Sequence, residues 1–291
     1  MVSFFETGTA LRMAPRGDEP RSADRLRLHY TVERRLADRL RAATSAEERR
    51  EIFSSMYEEL FKLVPDHPRL LKGKLQQERT QGIDWDMAQL GRFLKPGCTF
   101  LEIGAGDCEL SVRVAQRGAA QVYAVDICDQ TRAPLPANVT LVLSHGSDID
   151  VPEGSVDVAF SDQLMEHLHP EDAMAQLGAV HRALKPGGVY VCITPNRLYG
   201  PSDISAYFDD VARGFHLREY TVFEVRKVLR EAGFSRVQAY IGARGYFMRF
   251  PIALLEGFER LLDSMPAKLR RRLSDNKLMR ALLGVRVAAI K

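Results

Sequence analysis

The segment Leu101-Glu102-Ile103-Gly104-Ala105-Gly106-Asp107 constrains the fold more than any other stretch of the chain, because an apolar run ends there in an acid and breaks at once into a Gly-x-Gly turn. Residues 99–103 read as a short buried strand, and 110–115 carry helical spacing. The two glycines let the backbone approach a ligand where a Cβ would collide, at the positive end of the following helix. Such a turn is a nucleotide cradle. A dinucleotide fingerprint would need a third glycine where Glu109 stands, which disfavours NAD.

A second strand, 121–126, ends at Asp126, 24 residues after Glu102. That interval is close to the roughly 20 residues by which an acid after the second strand reaches a ribose across a doubly wound sheet. A strand-end Asp that caps a helix is the competing reading. The glycine turn beside it favours the ribose.

Further along come Asp162-Gln163-Leu164-Met165-Glu166-His167-Leu168, then Leu184-Lys185-Pro186-Gly187-Gly188 and Thr194-Pro195-Asn196. With the glycine turn and Asp126, and in this order, they resemble the class I S-adenosylmethionine-dependent methyltransferases over about residues 84–245. The resemblance implies an α/β, doubly wound Rossmann-like sheet of seven strands with a final antiparallel strand. It also implies S-adenosyl-L-methionine (SAM) as cofactor, bound across the carboxyl ends of the first four strands. Cofactor contacts are expected at Glu102, Gly104, Ala105, Gly106, Asp126, Ile127, Asp162 and Gln163. The adenine edge is expected at Ser147 and Asp148. Ser144-His145 stand where the family's usual Gly-Asp pair falls, so Asp148 takes the acid's place only if the loop is shifted.

On the acceptor side, His167 is the expected general base, oriented by Glu166 or Asp162, since an imidazole titrates near working pH. A helix-start histidine bonded to backbone is the alternative. Glu-x-x-Glu-His at this place resembles the metal-binding segment of ubiquinone-pathway O-methyltransferases and small-RNA 2′-O-methyltransferases. Here the first Glu is Gln163, and a neutral amide is a poor ligand for a hard cation, so no metal is expected. His216 and Arg218, in Phe215-His216-Leu217-Arg218-Glu219-Tyr220-Thr221, and Tyr199 are expected to face the acceptor; ordinary loop bonding and packing against the sheet compete with that role. The resulting expectation is methyl transfer to oxygen of a small metabolite or lipid-linked intermediate. An RNA 2′-O-methyltransferase, an NAD-dependent oxidoreductase and a non-catalytic cofactor-binding module are the competing readings.

Composition bounds the rest. A 45% hydrophobic content supports a real core, and a net charge of +3 is too mild to call for DNA. Four cysteines without Cys-x-x-Cys spacing suggest free thiols. No run of about 18 apolar residues and no apolar signal core appear, so a cytoplasmic location is expected. Residues 1–25 are expected to form a mobile tail, 26–83 a helical extension, and 84–291 the cofactor-binding domain. About forty residues, 243–283, are inserted before the last strand. Ile252, Leu255, Phe258 and Leu262 share a helical face there, and a basic run follows. A helical cap roofing the acceptor pocket is expected, with peripheral membrane contact as the competing use. The oligomeric state is left open.

Overall fold

Strands β1 (Thr99–Ile103), β2 (Gln121–Asp126), β3 (Val139–Leu143), β4 (Val156–Asp162) and β5 (Leu184–Thr194) pair in parallel in the order β3-β2-β1-β4-β5. Their near-continuous apolar runs, Phe100, Leu101 and Ile103 or Val156, Val158 and Ala159, are what a sheet covered on both faces requires. The structure is a computed structural model that describes residues 19–70, 72–144 and 148–291, with positions 69 and 72–79 described by their backbone alone. Residues 1–18 of the expected tail lie outside the described residues.

Beyond β5 the sheet continues with β8 (Val285–Ile290), antiparallel to both β5 and β6 (Arg236–Ala243). An eighth strand, β7 (Tyr246–Phe250), closes the edge against β6. The sequence predicts seven strands, and the described residues contain eight. The additional one begins the stretch expected to be wholly helical. Ala243 pairs with Tyr246, so the hairpin turn is the two residues Arg244 and Gly245, both at positive φ. That backbone is the type I′ turn, usually announced by Asn-Gly. Arg-Gly hides it.

The N-terminal extension contains α1 (Ala23–Ala42) and α2 (Ala46–Leu63), each started by a serine: Ser22 accepts from the Arg25 amide and Ser45 from that of Glu48. α3 (Lys72–Leu90) then runs unbroken through position 84, where the sequence boundary falls. Leu36, Leu40, Met56 and Leu60 pack together, and Phe215 from the main domain completes their core. Arg49 is buried and grips Asp172 with two 2.7 Å bonds, tying α2 to α5 (Pro170–Ala183).

The insertion contains α7 (Ile252–Asp263), α8 (Ala267–Ser274) and α9 (Lys277–Leu283). Leu255 and Leu262 are buried as the stripe predicts, while Leu254 is 65% and Leu261 56% exposed. Much of the basic run is engaged by the protein itself: Arg270 pairs with Asp263, Arg280 with Asp275, and Arg271 donates to the Ala206 carbonyl. α6 (Val222–Glu231) opens on the expected capping box of Thr221 and Glu224. Buried Glu259 reinforces it from α7, accepting from the amides of Val222 (2.9 Å) and Phe223 (3.2 Å) and from the Asn196 side chain (2.6 Å). Glu259→Ala would strand three donors, two of them buried, and is expected to cost about 2–4 kcal/mol, read as a lowered denaturant midpoint, with Glu259→Gln milder. A loss below about 0.5 kcal/mol, the size of an ordinary surface change, would show that α6 starts without it.

Candidate active site

β1 and β4 are neighbours whose onward connections run to opposite sides of the sheet, so a crevice opens at their carboxyl ends. Gly104 (φ +78°) and Gly106 (φ +56°) turn the chain out of β1 in a conformation that L side chains rarely adopt. The amides of Gly104 and Ala105 both donate to the Val125 carbonyl, fastening the turn to β2. Asp126 closes it from the other side: Oδ2 accepts from the Gly106 amide at 2.8 Å, and Oδ1 from the amides of Ile127 (2.8 Å) and Cys128 (3.4 Å). Three of the roughly four lone-pair directions of this carboxylate are thus in use, leaving Oδ2 room for a ligand hydroxyl. Buried Glu102 accepts from Ser111 Oγ at 2.6 Å, linking β1 to α4 (Glu109–Gln116).

Negative charge gathers at this crevice. Burial, and then the nearby charges of Asp162 and Glu102, push the carboxyl of Asp86 on α3 up to about 9. Asp162 ends β4, and Gln163 follows at φ +48°, its amide bonded to the Ile193 carbonyl. A non-glycine residue in that region is strained, and such strain gathers at ligand-binding turns.

The next residues form the turn Met165–His167, beside a cavity of about 260 Å³. Four of the chain's seven histidines line it: His29, His67, His167 and His216. His167 Nδ1 lies 3.0 Å from the Phe215 carbonyl, which can only accept, so Nδ1 carries the proton and Nε2 the basic lone pair. His216 Nδ1 meets Glu219 Oε1 at 2.8 Å, and the carboxylate fixes the same tautomer when the ring is neutral. Burial disfavours the His216 cation, but the bond to Glu219 and the charges of Asp203, Glu219 and Glu166 outweigh it and raise its pKa. Glu166 is fully buried. Its Oε2 accepts from Thr194 at 2.8 Å, whereas Oε1 meets no hydrogen-bond donor among the described residues. Donor atoms of Glu166, His167 and His216 all lie within 4.8 Å of one another.

Residues 101–192 match the family model described as a methyltransferase domain. That stretch is a methyltransferase domain, similar to S-adenosylmethionine-dependent methyltransferases. A protein of Mycolicibacterium smegmatis named "Probable S-adenosylmethionine-dependent methyltransferase" is 33% identical over 48% of this chain and 52% of its own length. The ribosomal protein L11 methyltransferase of Listeria monocytogenes is 30% identical over 35% of this chain and 33% of its own. The chain thus spans about half the length of the first of these relatives. A SAM-dependent methyltransferase of Archaeoglobus fulgidus superposes with a TM-score of 0.51 at 18% identity, over 77% of this chain and all of that one, which is a likeness of fold.

Within this methyltransferase domain the expected cofactor residues Glu102, Gly104, Ala105, Gly106, Asp126, Ile127, Asp162 and Gln163 all come to the carboxyl edge of β1, β2 and β4. Asp148 is exposed in the loop after β3, and Ser147 lies outside the described residues. The expected acceptor residues separate. His216 lines the cavity; Tyr199 is buried with the Arg280 guanidinium 4.9 Å over its ring, and Arg218 is exposed over Tyr220, its amide on the Glu166 carbonyl. Neither Tyr199 nor Arg218 is among the residues lining the cavity. The cap does not roof it either: none of 243–283 lines it, and the wall comes from α1, α2 and the segments around 202–207 and 215–216. Sequence reasoning passed over Arg21, His29, Glu33 and His67 because a His and Glu four residues apart on a helix read as a surface pair.

Burial pushes the Glu166 carboxyl up to about 7, against the opposing pull of His216, its own backbone and Thr194. The fold therefore holds a proton there that the unfolded chain releases near the ordinary carboxyl value, so stability is greatest in acid and falls as pH rises through about 7. Raising the pH from 5 to 8 is expected to cost the wild type roughly 2–3 kcal/mol relative to Glu166→Gln, measured by denaturation at each pH. A pH-independent difference would mean that Glu166 is ionised throughout.

Proposed function

We propose that the chain transfers a methyl group from SAM to an oxygen of a small acceptor held in the His167 cavity. The observation that carries this reading is the His167 tautomer: with Nδ1–H tied to the Phe215 carbonyl, the ring offers Nε2 as a base. The gathering of the Asp86, Glu102 and Asp162 carboxyls supports the cofactor, because the sulfonium and ammonium of SAM would offset the crowding that keeps Asp86 protonated. When bound, SAM supplies the electrophilic methyl group and a neutral thioether as leaving group. The chain's part is then placement: glycine turn and Asp126 on one side, an acceptor hydroxyl losing its proton to His167 Nε2 on the other. A cavity of about 260 Å³ with aromatic walls at Tyr57, Tyr207 and Phe215 suits a small ring-bearing acceptor better than a nucleic acid.

The buried Glu166 Oε1, without a donor, favours a second reading in which a divalent cation aids the same step. Glu166, His167 and His216 would hold it, with both rings fixed as Nδ1–H by acceptors behind them, the usual support of a metal-bound imidazole. Bound there, a cation would lower the acceptor hydroxyl's pKa. The expectation of no metal rested on Gln163; the chain's folding brings in His216 as a third donor from 50 residues away.

Asp126→Ala is expected to weaken SAM binding by roughly ten- to a hundredfold in calorimetric titration; unchanged affinity with an intact fold would remove Asp126 from the site. His167→Ala is expected to lower transfer of radiolabelled methyl to fractionated cell extract by about 10²–10⁴ with SAM affinity kept. Retained transfer would reduce His167 to a structural role. If activity lost to a chelator returns with Zn²⁺ or Mn²⁺, the cation reading displaces the simple base.

A further inference from the structure

We propose that Glu33, on α1 of the N-terminal extension, is a positioning residue for His167, acting through the main chain of Phe215. The inference rests on the reading of His167 as the group that activates the acceptor. Glu33 Oε1 accepts the Phe215 amide at 2.8 Å, and the carbonyl of the same residue receives His167 Nδ1–H at 3.0 Å. One residue is held from both sides: its N–H by the extension, its C=O against the catalytic ring. That carbonyl is the acceptor that places the proton of His167 on Nδ1 and leaves Nε2 as the base.

The carboxylate is itself held. Its Oε2 lies 2.8 Å from His29 Nε2, and Arg21 Nη1 lies 2.9 Å from His29 Nδ1. An arginine can only donate, so Nδ1 accepts and the His29 proton sits on Nε2, aimed at Glu33. His29, Glu33 and His67 have donor atoms within 4.8 Å of one another, as a cation site would require. The guanidinium on His29 instead makes this trio a hydrogen-bond clamp, and a permanent cation beside it opposes a second one. Burial alone would favour the neutral acid; the hydrogen bonds from His29 and the Phe215 amide outweigh it and keep Glu33 ionised.

The segment before Phe215 is shaped for this contact. A Cβ built on Gly214 would lie 2.4 Å from Glu33 Oε1 and 2.7 Å from Asp203 Oδ2, so only glycine lets both carboxylates reach the loop. The Gly214 amide donates to Asp203 Oδ2 (3.0 Å) and Ser205 Oγ (3.1 Å), fixing the approach from the other side. The Phe215 ring meets Tyr57 of α2 edge-on, with centroids 5.2 Å apart. Docking of the extension and orientation of His167 are therefore one event.

Two N–H donors converge on Glu33, so an amide cannot replace it: whichever way Gln turns, its NH₂ faces a donor. Three variants of the full chain follow: Glu33→Ala, Glu33→Gln, and Gly214→Ala, which displaces the carboxylate without removing a polar group. Each is compared with wild type by long-range ¹H–¹⁵N spectra of histidine-labelled protein, with EDTA present so that no cation pins the ring and folding checked by circular dichroism. Wild-type His167 is expected to show one tautomer, Nδ1–H, and the variants averaged nitrogen shifts. Methyl transfer at saturating SAM is expected to fall about 10–100-fold with SAM affinity unchanged, the usual effect of losing a group that orients a functional histidine. Formate added to Glu33→Ala is expected to restore part of both signals. An unaltered Nδ1–H signature in folded Glu33→Ala and Gly214→Ala would overturn the proposal. Should His167→Ala keep its activity, the reading of His167 as base falls, while the spectra still decide the role of Glu33.

Discussion

Parallel pairing in nearly even register is the constraint on which the site depends. Ile103 stands beside Val125 and Asp162 beside Ile193, so β1, β2, β4 and β5 release their chains along one edge. The residues that leave the strands there, the glycine turn, Asp126, Gln163 and Thr194, have their positions set by backbone hydrogen bonds before any side-chain preference acts. The reversal of strand order at β1 and β4 separates the departing loops and leaves the crevice between them. A slip of one residue in any of these pairings would turn its acid to the opposite face.

The crevice is electrostatically incomplete by itself. Asp162 and Glu102 add to the cost of ionising buried Asp86, with Arg286 as a partial counterweight that burial makes less willing to stay charged. The His167 cavity behaves differently. There, Glu166 Oε1 apart, the charged and basic groups named have partners: His216 has Glu219, Glu33 has His29 and the Phe215 amide, and Asp203 has the Gly214 amide. One side awaits positive charge, and the other is built to hold a neutral ring in one tautomer.

What the sequence made legible was whatever is local. The strand, turn and helix around Gly104 and Gly106 are contiguous, Asp126 lies one crossover away, and the Thr221 and Glu224 box closes within a single helical turn. Each can be read from spacing. β7 escaped because its turn uses Arg-Gly and because an edge strand with both faces largely exposed carries no alternation to find. The cavity wall escaped for a different reason: His29 and Glu33 are unremarkable on α1 until Phe215 arrives beside them. Glu166 and His167 were visible as a motif, but the third member of their cluster, His216, comes from beyond β5. Chemistry made by residues close in the chain shows in the chain; chemistry made by tertiary contact does not.

The bond from Glu33 to the Phe215 amide joins positions 182 residues apart. Such a contact repays its loop-closure entropy only after the intervening sheet has brought the two ends together. The crevice edge formed by β1, β2, β4 and β5 is complete by Thr194, while the cavity wall must wait for Phe215. Until then α1 and α2 leave the apolar seam of Leu36, Leu40 and Leu60 without the ring that finishes it. In order of assembly, this makes the crevice edge of the sheet first and the His167 cavity last, with an adhesive helical surface exposed in between.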